Sequence, residues 1–172
     1  MPAVTLYEVS IVSFAKGLKT LKLVLEKAAE SAKDKGTDPD AFVNATLAED
    51  MRGLAFQVQV ASNTVKKSIW RLTGTEVESW PDNETTLAQL IARTQRTVDL
   101  LDTVTAESIE GIDDTIVELQ MGKNGTFNLP AKSYVLNYAL PNFFFHLQTA
   151  YAILRAKGVP LGKTDYLSNF MK

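Results

Sequence analysis

LPNFFFHLQTAYAILRAKGVPLGKTDYL, running from Leu140 to Leu167, is the stretch on which the fold turns. Read as a helix it is apolar almost all the way round, because Phe143, Phe144 and Phe145 point in three directions and leave no freely solvated face at that level. Such a helix is either the most central one of a bundle or one that also forms a subunit interface. Gly158 suits a left-handed C-terminal cap, and Pro160 follows where the helix must not resume. Upstream the pattern extends to Ala131, so the spacing predicts one helix from about Ala131 to Lys157. Pro141 falls in its middle, removes the amide that would bond the Asn137 carbonyl, and bends the helix there.

The rest of the chain supplies partners for that helix. Tyr7, Ile11, Phe14, Leu18, Leu21, Leu25, Ala28 and Ala32 step by four and three. Leu47, Met51, Leu54, Val58, Ala61, Val65 and Leu72 nearly repeat the pattern, and Leu87, Leu90, Thr94, Val98, Leu101 and Val104 form a shorter third stripe. These are amphipathic helices that pack at shallow angles, the first two roughly 40 Å long at about 1.5 Å per residue. Thr5 with Glu8, Thr46 with Glu49 and Thr86 with Gln89 read as capping boxes at the helix starts. Gly36 and Gly74 read as left-handed C-terminal caps. Asp38-Pro39 signals an extra helical turn. In 105–130, β-type residues flank Asn124-Gly125, and that dipeptide predicts a small hairpin closed by a type I′ turn. The fold class is all-α: a four-helix bundle in a single domain over residues 1–172, with a small hairpin or extended excursion between helices 3 and 4. The long linkers permit crossover connections.

Bulk properties narrow the function classes. The 172 residues are 45% hydrophobic and 22% charged, with a net charge of −2 and a pI near 5.5. That balance offers no broad attraction for nucleic acid or an anionic membrane. No apolar run approaches the roughly 20 residues of a transmembrane helix. MPAVTLYEVSIVSF has no basic leader or cleavage site, so the expected location is cytoplasmic, and the sequons at Asn44, Asn83 and Asn124 read as chance matches. The absence of cysteine removes disulfides, iron–sulfur clusters and thiol nucleophiles.

The one histidine, His146, lies a turn after Asn142 on a stripe (Val135, Ala139, Asn142, His146, Thr149, Ile153) that is apolar at both ends and polar in the middle. Two readings stand open: a core pocket floored by Asn142 and His146, or a buried hydrogen-bonded pair. Asp50 and Gln57, seven residues apart and so on one face of the second helix, are the candidate partners from it. A carboxylate beside His146 would fix its tautomer and raise its pKa. Ser133, Thr149 and Ser168 show no base–orienter pattern, and Gly122–Gly125 reads as a turn rather than a phosphate loop. Arg155, Lys157 and Lys163 suit a helix C-terminus, and Trp70 and Trp80 read as packing residues. One histidine without nearby carboxylates predicts no metal, and no cofactor is expected.

The run LPNFFFH…AYAILR…GVPLGK, together with LAEDMRGLAFQVQVASNTVKKSIWRLTG (Leu47–Gly74) and PDNETTLAQLIARTQRTVDLL from Pro81, resembles a family described only as a domain of unknown function in the DinB/YfiT-like group of four-helix bundles. The likeness covers essentially the whole chain. It implies an up–down–down–up bundle, often paired as a homodimer. The wider group includes divalent-metal enzymes, among them thiol-dependent S-transferases and a maleylpyruvate isomerase. Their metal is held by one histidine of the second helix and a His-x-x-x-His pair on the last. Here the matching spacing is Asn142-x-x-x-His146, and the second helix has no histidine.

Three functions follow as expectations. The first is a metal-free binder of a small molecule around Asn142, His146, Gln57 and Asp50, with His146 as a general acid or base if there is catalysis. The second is a homodimeric structural or interaction protein that uses the fourth helix and the Phe143–Phe145 cluster. The third is a degenerate divalent-metal transferase-like site completed by Asp50 or Gln57.

Overall fold

The computed structural model describes residues 4–172; Met1–Ala3, where the stretch read for a leader begins, lie outside the described residues. Thr5 and Glu8 open the first helix as expected: the Glu8 carboxylate accepts from the Thr5 amide, and the Thr5 hydroxyl accepts from the Glu8 amide. A π turn over Glu8–Val12 precedes α1 (Ser13–Lys35). There the Ser10 and Ser13 hydroxyls donate to the carbonyls of Leu6 and Glu8, competing with the backbone amides. Gly36 closes α1 at φ 63°.

The second helix begins later than its apolar spacing suggests. α2 spans Leu54–Thr73, so Leu47, Thr46 and Glu49 lie outside it and the Thr46–Glu49 box does not form. The free amides at its start are met differently: Leu54 N–H donates to the Ala45 carbonyl and Ala55 N–H to that of Val43. Leu47 is consequently exposed. The predicted turn at Asp38-Pro39 is present, with the Asp38 side chain accepting from the Asp40 amide. α3 spans Leu87–Leu101 and starts with both halves of the Thr86–Gln89 box in place.

Residues 74–86 carry no regular structure and run back along α2 as a strap. Lys66 meets Trp80, Asn63 meets Asp82, and Gln59 meets Glu84. The strap therefore returns the chain to the start of α2, and α3 runs parallel to α2.

Helix 4 is a composite of α4 (Ala131–Tyr134), a π turn (Val135–Ala139) and α5 (Leu140–Ala156), not one helix bent at Pro141. Leu140 N–H donates to the Val135 carbonyl, five residues back. The register change falls immediately before Pro141, so the residue with no N–H sits at the seam. α5 runs antiparallel to α2, since His146 meets Gln57 and Asn142 meets Thr64. It runs parallel to α1: Phe143 packs edge-on against Phe14, and Lys35 at the end of α1 donates to the carbonyl of Gly158. α1 and α2 each pack on α3 and α5, which gives the up–down–down–up order. Gly17 makes the α1–α5 approach possible, because a Cβ there would overlap the Phe143 ring.

β1 (Ile116–Gln120) and β2 (Thr126–Pro130) form the expected antiparallel hairpin, with Ile116 opposite Pro130. Its turn is not type I′. The loop is five residues long, Gly122 and Gly125 carry the positive φ values, and Asn124 does not. Arg71 of α2 holds the hairpin through a 2.7 Å bond to the Glu118 carbonyl. A short α6 (Lys163–Leu167), absent from the expectation, is capped by Asp165 on the Gly162 amide and tied to α1 by Lys27–Asp165 at 2.7 Å.

Candidate functional site

α2 and helix 4 meet along a polar seam. Gln57, Thr64 and Ser68 present one edge of α2, spaced seven and four apart as a shared helix face requires. Opposite them, in reverse order, stand His146, Asn142 and Tyr134. His146 Nδ1 is 2.7 Å from Gln57 Oε1, Asn142 Nδ2 donates to Thr64 Oγ1 at 2.8 Å, and Ser68 meets the Tyr134 hydroxyl at 3.0 Å. Thr64 passes its own proton to the Val60 carbonyl.

The state of His146 follows from its neighbour. Gln57 Nε2 donates to the Arg52 carbonyl at 2.9 Å. A carbonyl only accepts, so the amide NH2 must face Arg52, and the amide oxygen must face the imidazole. Nδ1 therefore carries the proton and Nε2 the lone pair. His146 is 8% exposed. Its Nε2 takes no hydrogen bond among the described residues and is not fully buried, so it keeps contact with solvent. Phe56 and Phe145 stand edge-on to the ring at centroid distances of 6.0 and 5.2 Å, and Arg52 lies over Phe56. Burial pushes the imidazole pKa below its ordinary value, which keeps the ring neutral at pH 7.

Of the residues singled out from sequence, Asn142, His146 and Gln57 are thus brought together along one seam. Asp50 is not: it lies exposed on the turn before α2, because the helix starts at Leu54, and it makes no hydrogen bond to His146. The expected carboxylate is replaced by an amide, and the pKa moves down rather than up. Of the three phenylalanines, Phe143 is buried, Phe144 half-buried and Phe145 58% exposed, so one direction at this level does face solvent. Thr149 is occupied by the Phe145 carbonyl.

Five clefts of about 250 to 580 Å³ indent other parts of the surface, and none is lined by His146, Asn142 or Gln57. The imidazole is flanked by the Phe56 and Phe145 rings. No group of three or more His, Cys, Asp or Glu side chains able to hold a metal ion occurs among the described residues. With Nδ1 engaged by Gln57 and Asn142 turned to Thr64, the donors at this position do not fit the three-histidine metal of the wider DinB-like group.

The opposite edge of α2 holds an ionic network that sequence reading missed. Arg93 of α3, 4% exposed, meets Glu84 at 2.8 Å and Asp82 at 2.6 Å, and donates to the Pro81 carbonyl and Asn63. Gln59 donates to Glu84, whose carboxyl stays below the usual range because the hydrogen bonds of Arg93 and Gln59 outweigh its burial. Lys66 and Arg96 both lie on Trp80, which is therefore a pin for the strap. The available signal was Arg93 itself, a charge three residues after Leu90 and four before Thr97 on the inward side of α3.

Comparison with known proteins places this architecture. No curated protein matches the chain. The chain is similar to the crystal structure of a DinB family member protein from Shewanella denitrificans, with 35% sequence identity, a TM-score of 0.85, and coverage of 94% of this chain and 91% of that one. The model of a domain of unknown function, DUF1993, matches residues 6–167. The chain belongs to this DUF1993 family, a family of DinB-like helical bundles.

Proposed function

We propose that the protein is a metal-free small-molecule-binding member of the DinB-like bundles, in which His146 Nε2 accepts a proton or a hydrogen bond from the ligand. The observation that carries this reading is the Arg52–Gln57–His146 relay, which fixes the tautomer and leaves the lone pair at the surface. Phe56 and Phe145 supply apolar walls, and the exposed Arg52 guanidinium supplies a positive charge beside them. A planar, weakly acidic molecule matches that chemistry. Catalysis, if the ligand is a substrate, would use His146 as general base, since the neutral imidazole is the form that takes a proton. A cytoplasmic location accords with this role.

Because His146 is the only histidine, acylation by diethylpyrocarbonate reports on it directly. One equivalent should add at His146 in the folded protein, and 4-hydroxybenzoate should slow the addition. His146→Ala should keep the melting behaviour of the bundle while losing the saturation-transfer NMR signal of 4-hydroxybenzoate. An unreactive ring, or equal binding by the variant, overturns the reading.

The exposure of Phe145, and of Phe56 beside it, favours a second reading: a homodimer that covers this aromatic pair. Sedimentation at high concentration should then give a dimer that Phe145→Ser disperses, and a clean monomer removes the idea. A degenerate divalent-metal site has no group of three such donors to support it among the described residues, and untagged protein free of stoichiometric metal would end it.

A further inference from the structure

Lys66 is 5% exposed, midway along α2, on the edge away from His146. Its Nζ takes no hydrogen bond and no ion pair among the described residues; its contact is the face of Trp80, 3.8 Å from the ring centroid. The charged groups around it come from α3, from the strap and, in Lys67, from α2 itself. Arg93 is committed to Asp82 and Glu84, and Arg96 to Glu78, while Glu76 shares the cleft with Lys66 and makes no ion pair with it among the described residues. Lys66 also lines a cleft of about 250 Å³, together with Asn63, Lys67, Trp70, Glu76, Glu78 and Ser79. A largely buried lysine that lines a cleft, with an amine that has no acceptor among the described residues and keeps contact with solvent, is placed to act as a nucleophile.

We propose that Lys66 binds a small aldehyde or ketone covalently, as a Schiff base in the cleft between α2 and the strap. The neutral Nζ adds its lone pair to the carbonyl carbon as the C=O π pair moves to oxygen. Proton transfer from nitrogen to that oxygen gives a carbinolamine. The hydroxyl then leaves as water with a second proton, the nitrogen lone pair forms C=N, and no oxidant or reductant is consumed. When protonated, the product is a cation on the Trp80 face, where the ammonium had been. Burial, with repulsion by Arg93 and Arg96, lowers the amine to about 8 against the opposing attraction of Asp82 and Glu78. At pH 7 its uncharged fraction is then about 300 times that of an ordinary lysine.

The test uses the full chain with propionaldehyde as probe, cyanoborohydride as trap, and peptide mass mapping from pH 6 to 10. One reduced adduct should map to Lys66 and form at least tenfold faster at pH 7 than at exposed lysines, with a midpoint near 8. Lys66→Arg should remove that adduct alone, and His146→Ala should leave it unchanged. Modification of Lys66 no faster than of exposed lysines in folded wild-type protein would overturn the proposal, whether or not any variant folds.

Discussion

The two edges of α2 are both polar but differ in how their polar groups are satisfied. Along helix 4, Gln57, Thr64 and Ser68 meet His146, Asn142 and Tyr134 through neutral hydrogen bonds. Along the strap and α3, Gln59, Asn63 and Lys66 border a network of full charges centred on Arg93. Neutral partners lose modest hydration on burial, so the first edge can hold one imidazole in one tautomer at little cost. Buried charges lose far more, so the second edge depends on the pairing of Arg93 with Asp82 and Glu84. Lys66 is the member left over, which is why reactivity is expected there.

This contrast predicts a ranking of substitutions. Arg93→Met should have the largest effect, a loss of about 3–5 kcal/mol in denaturant unfolding, because it strands the largely buried Glu84 carboxylate of the strap. A loss below about 1 kcal/mol would show that the charged edge is solvated and erase the contrast. Gln57→Leu should cost less, about 1–3 kcal/mol, by leaving His146 Nδ1–H and the Arg52 carbonyl unpaired. Lys66→Met should be close to neutral or stabilising near pH 7. The folded-state pKa of about 8 lies below the ordinary 10.5, so the unfolded chain binds more protons between these values. Wild-type stability attributable to Lys66 therefore rises with pH across that window, and the advantage of the methionine variant should shrink from pH 8 to pH 10. A constant difference would mean that Lys66 is not perturbed. The smallest effect should belong to His146, whose lowered pKa makes its contribution fall as the pH drops below 6.5 and level off below the folded-state value. His146→Leu should flatten that slope in urea titrations.

The contrast also explains what the sequence could reveal. Asn142 and His146 share a face because they are four apart in one helix, and Gln57 could be named because the apolar stripe of α2 fixed which way it points. Asp50 failed by the same logic: the four–three spacing ran on through Leu47 and Met51, while the helix starts only at Leu54, where the amides of Leu54 and Ala55 are met by carbonyls of the preceding loop. Thr46 and Glu49 have capping-box identities at the right spacing, but no helix start for them to cap. Trp80, Asp82 and Glu84 reach α2 from an irregular strap, where no periodicity sets the register, so their pairing with Lys66 and Arg93 could not be inferred. The π turn before Pro141 was hidden for a related reason. A missing amide can be accommodated by a bend or by a change of register, and the packing of Phe143 against Phe14 and Gly17 decides between them.

The most direct test of the account is the 15N spectrum of the single histidine, followed through a pH titration of the folded protein. A neutral ring protonated at Nδ1, with a pKa below 6.5 and an Nε2 signal that responds to 4-hydroxybenzoate, is the expected result. A ring protonated at Nε2, or one whose pKa lies above 6.5, would contradict the Gln57 relay and the proposed role of His146 with it.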